Sequence, residues 1–223
     1  GYKIPASNIL PELYQEPVQT KTKREKFYFS YRGEIYNVQP VANYELWGLV
    51  VSHNNITSMW DSYHDNDSVD TKDLCVIWGK NVRNNHFHKV AFTSGSWTCY
   101  RRTPPGSKFV SSQLSNNHLI TKEPPIRKEI AKVRVGDQVH LQGMLVNYKN
   151  SKHSRWRTTS RTRIDNGNGA CEVVYVDKIT ILSRGTPLWY VLYAIGFWAF
   201  LFFLLCKILL IAIENYLPVA EKE

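Results

Sequence analysis

The feature that most constrains this chain is an apolar stretch near its C-terminus. Residues 187–213 read PLWYVLYAIGFWAFLFFLLCKILLIAI, and Lys207 is the only charged residue among them. A helix that rises about 1.5 Å per residue needs about 20 such residues to cross a hydrocarbon layer of about 30 Å. A buried helix of a soluble domain rarely stays apolar on every face over this length. The stretch therefore predicts a single C-terminal transmembrane α-helix over 187–213, followed by a short acidic tail over 214–223.

Two small residues in this stretch, Gly196 and Ala199, predict a face for packing against other helices. Small residues are common at helix interfaces in membranes because they let two backbones approach closely. Gly196 and Ala199 are three positions apart, close to one helical turn. We therefore expect the helix to lie in a lipid bilayer and to dock on other membrane protein subunits.

The positive charge of the chain precedes the apolar stretch. The net charge is +9, and residues 186–223 contribute −1 from two lysines and three glutamates, which leaves +10 for residues 1–185. A domain this basic attracts polyanions, such as nucleic acid, anionic lipid headgroups or an acidic protein surface. Membrane orientation stays open, because basic residues flank both ends of the stretch.

The beginning of the chain and its cysteines bear on the cellular compartment without deciding it. The sequence starts at Gly1 without an apolar leader, so either a secretory leader has been removed or the chain is tail-anchored with its domain in the cytoplasm. Cys206 falls in the apolar stretch, which leaves Cys75, Cys99 and Cys171. Cys75 and Cys99 lie on two predicted strands and form a disulfide if those strands are neighbours. Burial as free thiols is the alternative.

The first part of the chain predicts an arm and a hairpin. Prolines interrupt residues 1–26, so no helical or alternating period continues there, and the segment ends in a basic cluster. We predict an extended basic arm over 1–26. Residues 27–38 alternate around Arg32-Gly33, which predicts a β-hairpin at the start of a domain over 27–184.

The order of the elements within this domain indicates its fold. A short helix is predicted over 124–133, between the third and fourth strands. Gly48 and Gly143 lie inside the first and fourth strands, where closure of a small barrel requires sharp bends. This order predicts a mainly β fold, an OB-fold-like small barrel with one short helix. Another small β-barrel or a sandwich with one helix is the alternative. The predicted strands cover residues 44–56, 74–79, 90–101, 135–146 and 170–182.

Two groups of residues resemble metal ligands, but each lacks residues that a complete metal site requires. The acidic loop over 59–70 lacks the glycine and the distal glutamate of a calcium loop. His86 and His88 form a His-x-His pair, but zinc needs three or four ligands and the spacing brings no other histidine to them. We therefore expect an ordinary surface loop, no metal site and no cofactor.

The loop between the last two predicted strands is the most basic segment of the domain. OB-folds commonly use this loop to bind oligonucleotides through charge and aromatic stacking. A basic loop beside a membrane equally contacts anionic lipid or the carboxylates of a protein partner. Arg161 and Arg163 have Asp165 and Glu172 as alternative partners within the domain. The predicted contact residues for a polyanion or a partner are Lys149, Lys152, Arg155, Trp156, Arg157, Arg161 and Arg163.

Three segments, VGDQVHLQGMLVNY, SRTRIDNGNGACEVVYV and SNNHLI, resemble a scattered group of bacterial envelope proteins. Those proteins are similar in having a Gly-Asp turn into a strand and Gly-Ala-Cys-Glu before a final strand. The resemblance covers residues 40–182 and implies an extracytoplasmic domain, but it implies no activity and carries no functional residues over. It favours a single-pass protein of the bacterial inner membrane, with a periplasmic domain and a cytoplasmic tail. The C-terminal helix departs from the soluble members and indicates assembly with other membrane components.

The sequence shows no catalytic unit. Nucleophilic catalysis needs a Ser or Cys beside a base that a third group orients. Ser115 and His118 lie in a polar run that we predict to be a loop, and His118 is expected to be a structural residue there. Cys171 adjoins Glu172, but adjacent residues on a strand point to opposite faces. Phosphate-binding glycine loops, paired carboxylates and Cys-x-x-Cys do not occur.

These observations together predict an interaction protein rather than an enzyme. We expect a membrane-anchored, non-catalytic domain that serves as an accessory or structural subunit of a bacterial envelope membrane complex. The alternative is a membrane-tethered OB-fold protein that binds single-stranded nucleic acid. The basic loop and the positive charge of residues 1–185 are compatible with both.

Overall fold

A computed structural model describes residues 8–56, 68–96, 98–153, 155–162, 165, 170–185 and 187–216. The chain divides into two compact units, Gly1–Gly185 and Thr186–Glu223. The first unit holds the sheet and the second holds one long helix, and each has its own architecture.

The first unit consists mainly of β-strands with few helices. Its α-helices are α1 (Lys80–Arg83) and α2 (Pro124–Lys132), and single 3-10 turns occur at Pro11–Tyr14, His86–Lys89 and Ser111–Gln113. Its strands are β1 (Val18–Thr20), β2 (Phe27–Tyr31), β3 (Glu34–Asn55), β4 (Asp70–Ile77), β5 (Ala91–Ser94), β6 (Cys99–Arg102), β7 (Leu114–Ile120), β8 (Gln138–Asn150) and β9 (Glu172–Ser183).

The sheet is built around β3, which is 22 residues long. β3 pairs antiparallel with β4 along one edge and with β8 along the other. β4 pairs with β7, β7 runs parallel to β9, and β9 pairs antiparallel with β8. Each of these five strands therefore has two hydrogen-bonded neighbours, in the order β3, β4, β7, β9, β8 and back to β3. β1 and the predicted hairpin strand β2 also pair with β3.

The third strand in this order is not the predicted one. Residues 90–101, which we predicted as that strand, contribute to the hairpin β5–β6 in a separate two-stranded sheet. The position belongs to β7, which contains the polar run predicted as a loop. Asn117 on β7 is buried and donates hydrogen bonds to Ser115 Oγ at 2.8 Å and to the Leu74 carbonyl oxygen at 3.4 Å. The buried residues of this run are polar, and hydrogen bonds between them make their burial possible. The alternation of apolar and polar residues that predicts a strand is therefore missing from the sequence.

Gly48 and Gly143 lie where neighbouring strands approach most closely. A Cβ on Gly143 would collide with the carbonyl of Tyr175 on β9, and a Cβ on Gly48 would collide with the Val76 side chain on β4. The register of β8 against β9 shifts between Gln142 and Gly143. A side chain at either position would therefore collide with the neighbouring strand, and the register shift beside Gly143 agrees with the bend predicted there.

The main hydrophobic core joins side chains of the five strands with α2. Ile130 and Val133 are fully buried in it and Ile126 packs against it, as their helical spacing predicted. At the C-terminal end of α2, Lys72 Nζ donates to the carbonyl oxygens of Ala131 at 3.1 Å and Val133 at 2.6 Å. Lys72 thus satisfies carbonyl groups that the end of a helix leaves open.

The described part of the N-terminal segment packs onto the first unit. Ile9 and Leu13 are buried in a small apolar cluster. The Leu13 carbonyl accepts a hydrogen bond from the Gly79 amide at 2.8 Å, and β1 extends the sheet along β3. Residues 8–20 of the predicted 1–26 arm are therefore held against the domain by apolar burial and strand pairing.

A disulfide joins Cys75 on β4 to Cys99 on β6, with 5.8 Å between their Cα atoms. Of the two alternatives that the sequence left open, the disulfide is the one present. A contact of 2.8 Å between Ser52 Oγ and Ser94 Oγ links the same hairpin to β3. The β5–β6 hairpin is thus fixed to the outside of the sheet at two points.

The second unit contains α3 (Pro187–Tyr216). Its segment Val191–Glu214 has a mean hydropathy of 2.5 and is not buried, so by length and composition it is able to cross a membrane. This agrees with the apolar helix predicted over 187–213. Most of the predicted acidic tail lies outside the described residues.

Candidate functional site

Three segments that are distant in the sequence but adjacent in the sheet bring polar side chains to one face. Asp73 on β4 lies directly opposite His118 on β7 in the strand register. β7 and β9 run parallel with Asn117 opposite Glu172, so Cys171, immediately before β9, lies beside Asn116. Asn116 and His118 are two positions apart on a strand and therefore share a face. We call Cys171, His118, Asp73 and Asn116 the thiol site.

The side chains of the thiol site form a hydrogen-bonded path. His118 Nδ1 lies 2.7 Å from Asp73 Oδ1, and both side chains are at least 98% buried, with exposed fractions of 2% and 1%. The His118 ring and the Cys171 thiol also act on each other, since each shifts the pKa of the other. Since Nδ1 faces Asp73, the nitrogen available to the thiol is Nε2. Asn116 Nδ2 lies 3.4 Å from His118 Nε2 and 3.5 Å from Cys171 Sγ, which places all three atoms together.

The surroundings of His118 favour its protonated form. Burial on its own would lower its pKa, but the Asp73 charge and hydrogen bonds to Asp73 and Cys171 raise the pKa of His118 to about 9. Burial raises the pKa of the Asp73 carboxyl, and His118 opposes that rise. The pair therefore holds a proton at neutral pH, on the imidazole between the carboxylate and the thiol.

The surroundings of Cys171 favour ionisation of its thiol. Its side chain is half-buried. Burial would raise its pKa, but the hydrogen bond and charge of His118, together with Asn116 and the charge of Arg157, lower the pKa of Cys171 below its usual value. A cysteine with a lowered pKa and partial exposure has the properties of a reactive thiol, because the thiolate is the nucleophile.

A short segment after β8 covers this end of β9. The Ser160 amide donates to the Cys171 carbonyl at 2.9 Å, and the Val173 amide donates to Thr159 Oγ1 at 3.0 Å. Arg157 exchanges two backbone hydrogen bonds with Tyr148 at 2.8 and 2.9 Å. These bonds fix the backbone on both sides of the thiol, so the position of Cys171 is set by the sheet and by this segment together.

The predicted contact residues of the basic loop differ in their exposure and in the groups that they contact. Lys149 Nζ lies 5.4 Å from the centre of the Trp156 ring, and Lys152 lies 3.6 Å from a Glu34 carboxylate oxygen. Arg155 and Arg161 are exposed. Arg157 is half-buried and its charge acts on the thiol site. Asp165, proposed above as a partner of Arg161 and Arg163, accepts hydrogen bonds from the Ser160 and Thr162 hydroxyls, and Arg163 lies outside the described residues.

The remaining predicted site residues lie on α3 and in the turn after α1. On α3, Ala199 is exposed and a Cβ on Gly196 would meet open space, so both are accessible for packing. His86 and His88 fall in the 3-10 turn after α1. Within the described ranges, no group of three or more His, Cys, Asp or Glu residues is arranged to hold a metal ion. Most of the acidic loop over 59–70 lies outside those ranges.

Sequence reasoning missed the thiol site because its members come from three separate segments. It considered Ser115 as the partner of His118, but Ser115 lies on the same face as Asn117, opposite to His118. It considered Glu172 as the partner of Cys171, but these two are adjacent. One signal for the site was present in the sequence: Asn116 and His118 are two positions apart in a run long enough to form a strand. Their shared face is recognised only if the run is assigned as a strand and not as a loop.

No protein-family model, curated protein or solved structure matches this chain. The chemistry of the thiol site therefore has to be inferred from its own geometry. That geometry contains a thiol, an imidazole and a carboxylate, with the carboxylate in contact with the imidazole and Asn116 Nδ2 close to both the imidazole and the thiol.

Proposed function

We propose that this chain is a membrane-anchored thiol enzyme that transfers acyl groups, with Cys171 as the nucleophile. The observation that carries the proposal is the path of contacts from Cys171 Sγ to Asn116 Nδ2 at 3.5 Å, from Asn116 Nδ2 to His118 Nε2 at 3.4 Å, and from His118 Nδ1 to Asp73 Oδ1 at 2.7 Å. His118 is the general acid and base, and Asp73 is a positioning residue that orients the imidazole and stabilises its charge. A nucleophile, a base and an orienting group in this order are the general requirement for covalent acyl transfer.

The reaction begins from a thiolate at Cys171 and a protonated His118. Sγ attacks the carbonyl carbon of an ester, thioester or amide, and the bond to the leaving group breaks as His118 Nε2 gives that group its proton. The product is an acyl thioester at Cys171. Water or an amine then attacks the thioester and passes a proton to His118, and Sγ leaves as the thiolate. Asn116 Nδ2, 3.5 Å from Sγ, is a donor beside the negatively charged oxygen that forms in each step.

The proposal is tested by trapping the thioester on the full chain in a mild detergent. We expect p-nitrophenyl acetate to acylate Cys171 and to release p-nitrophenol in a burst, with the acetyl group located by mass spectrometry. Cys171→Ala and His118→Gln are expected to remove the burst, whereas Cys206→Ser serves as the control thiol and keeps it. Acylation that is equal in the His118→Gln variant, or that falls on Cys206, would mean that the thiol site is not catalytic.

We propose that the five-strand order of the first unit is an OB-fold barrel. Taken along the chain, β3, β4, β7, β8 and β9 are its strands one to five, and their spatial order is one, two, three, five, four. The parallel pair β7–β9 and the position of α2 between β7 and β8 support this assignment. The thiol site then lies on strands two and three and immediately before strand five.

We propose that α3 crosses the bacterial inner membrane, with the domain in the periplasm and the tail in the cytoplasm. The Cys75–Cys99 disulfide supports this orientation, because cytosolic thiols are normally kept reduced. Spheroplasts treated with a membrane-impermeant maleimide provide the test. Cys171 should be labelled in intact spheroplasts, and a cysteine introduced by Val219→Cys should be labelled only after lysis. The reverse pattern would place the domain in the cytoplasm.

The interaction function predicted from the sequence is the second candidate. The charge of +10 on residues 1–185 and the exposed apolar surface of α3 favour an accessory subunit of an envelope complex. Purification from native membranes at low and high salt separates the cases. Partners retained at high salt support the subunit, and nucleic acid that binds only at low salt supports the single-stranded nucleic-acid binder. In both cases Cys171→Ser should leave binding unchanged.

A further inference from the structure

A cavity that is open to solvent lies where β4 meets α2 and the turn between β2 and β3. It has a volume of about 540 Å³. The described residues that line it include four cationic ones, Arg32, Lys72, Arg127 and Lys128, and none with a carboxylate. Lys72 is the neighbour of Asp73 on β4, so this cavity and the thiol site involve opposite faces of one strand.

The guanidinium of Arg127 is held in place by protein contacts. Its Nη1 donates to the carbonyl oxygens of Val69 at 2.8 Å and Thr121 at 3.0 Å, and the group lies 4.4 Å from the centre of the Tyr31 ring. The guanidinium of Arg32 lies 5.4 Å from the same ring. Two guanidinium groups are therefore arranged around one aromatic side chain before any ligand arrives.

The charges of Arg32 and Arg127 repel each other. Burial lowers the pKa of Arg127 and the charge of Arg32 lowers it further, although Tyr31 and Asp70 oppose this effect. Asp70 does not line the cavity: it is buried, and its Oδ2 accepts hydrogen bonds from the Tyr148 hydroxyl at 2.8 Å and from Ser68 Oγ at 3.0 Å. Burial also lowers the pKa of Lys72 to about 8. An anion among these groups would relieve the repulsion.

The backbone also holds a cationic side chain at the rim of this cavity. Arg32 has a φ of 49° and Gly33 a φ of 85°, so a long cationic side chain occupies a left-handed turn position that normally takes Asn, Asp or Gly. An arginine held in this conformation is kept at the rim of the cavity by its backbone as well as by its ring contact.

We propose that this cavity binds a phosphoryl group, with Arg32, Arg127 and Lys128 as its charged contacts. Guanidinium groups donate paired hydrogen bonds that fit the oxygens of a phosphoryl group, and a lysine adds a point charge. Lys72 contributes its charge from the base of the cavity while it holds the α2 carbonyls. This site is independent of the acyl-transfer chemistry. The phosphoryl group belongs either to free phosphate or to the headgroup of an anionic lipid.

The full chain in nanodiscs tests this proposal with inorganic phosphate as the probe, measured by titration calorimetry. In phosphatidylcholine nanodiscs, we expect phosphate to bind and an Arg32→Ala/Lys128→Ala double variant to lose on the order of tenfold in affinity. Both replaced residues are exposed, so folding should be kept, and Arg161→Ala is the matched control because Arg161 is exposed and does not line the cavity. No binding to the wild-type chain, or equal binding to the double variant, would overturn the proposal.

Nanodiscs that also contain phosphatidylglycerol identify the source of the phosphoryl group. If the ligand is a lipid headgroup, the added lipid should compete and weaken the binding of inorganic phosphate to the wild-type chain. If the ligand is free phosphate, its affinity should be the same in both kinds of nanodisc. Either result supports the site, provided that the double variant shows the loss of affinity.

Discussion

His118 and Asp73 are register partners on β7 and β4, and their side chains meet at 2.7 Å between Nδ1 and Oδ1. Directly opposed positions on antiparallel strands keep side chains within contact distance without help from loops. The imidazole is thus fixed by the sheet, and only Cys171 comes from the end of a connecting segment. The distance between His118 and Cys171 therefore depends on the parallel pairing of β7 with β9.

Replacing Asp73 by Asn should reduce the reactivity of Cys171 at neutral pH. Without the carboxylate, the pKa of His118 falls, and the imidazole no longer supplies the positive charge that favours the thiolate. We expect acyl transfer to fall by about 10⁴-fold, the loss seen when the orienting aspartate of a catalytic triad is replaced by asparagine. The check is the rate of iodoacetamide alkylation of Cys171 from mildly acidic to alkaline pH. Asp177→Asn removes an exposed carboxylate and is the control; a profile in Asp73→Asn equal to that of the control contradicts the assigned role.

The stability of the folded domain should decrease as pH rises through the upper titration of His118. A histidine whose pKa is raised from 6.5 to about 9 stabilises the folded state fully below about pH 6.5, and this contribution is lost as pH rises toward 9. The shift corresponds to a free energy of unfolding on the order of 3 kcal/mol. The lowered pKa of Cys171 acts in the opposite direction, so the measurement is denaturant unfolding in a Cys171→Ser background. Adding His118→Gln should flatten the pH dependence, and an unchanged slope contradicts the prediction.

Gly143→Ala should destabilise the first unit, because a Cβ there collides with the Tyr175 carbonyl rather than with a flexible side chain. Overpacking of this kind costs about 1 to 3 kcal/mol and sometimes more. Thermal unfolding of the full chain in detergent measures the loss. Gly196→Ala is the matched control, since its Cβ would enter open space on a helix, and it should leave the unfolding of the first unit unchanged. Equal stability of both variants would contradict the close approach of β8 and β9.

Removing the disulfide should lower the free energy of unfolding. Cys75 and Cys99 are 24 residues apart, and a link across a loop of this length restricts the unfolded chain by about 3 kcal/mol. A Cys75→Ala/Cys99→Ala variant should show this loss in denaturant unfolding, and reductant should reproduce it in the wild-type chain. Cys206→Ser should have no effect. A wild-type chain whose stability does not respond to reductant would show that the two thiols are not joined.

The sequence predicted those elements whose physical cause is local. The helix over 124–133 has apolar residues at helical spacing, and the hairpin turn at Arg32-Gly33 needs only a residue that accepts a positive φ. Gly48 and Gly143 were predicted as bends inside strands, and the structure has a register shift beside Gly143. Each of these signals is contained within a few residues, so no tertiary contact is required to recognise it.

The sequence assigned the third strand incorrectly and did not reveal the thiol site, because neither has a local cause. β7 is a strand because its polar side chains find partners on β4 and before β9, which the spacing of LSNNHLI does not reveal. Residues 90–101 have a stronger strand pattern, yet they form a separate hairpin attached by the disulfide. Strand choice here depends on burial and on hydrogen bonds between distant residues, which outweigh local propensity.

By itself, the sequence determined that the chain carries one helix apolar enough to cross a membrane and a basic, mainly β domain before it. These properties follow from the composition and length of each segment, so they do not depend on how the strands pair. Only the tertiary structure decided that Asp73, His118 and Cys171 lie together, since 45 and 53 positions separate them along the chain. The antiparallel register of β4 with β7 and the parallel pairing of β7 with β9 remove that separation and create the thiol site.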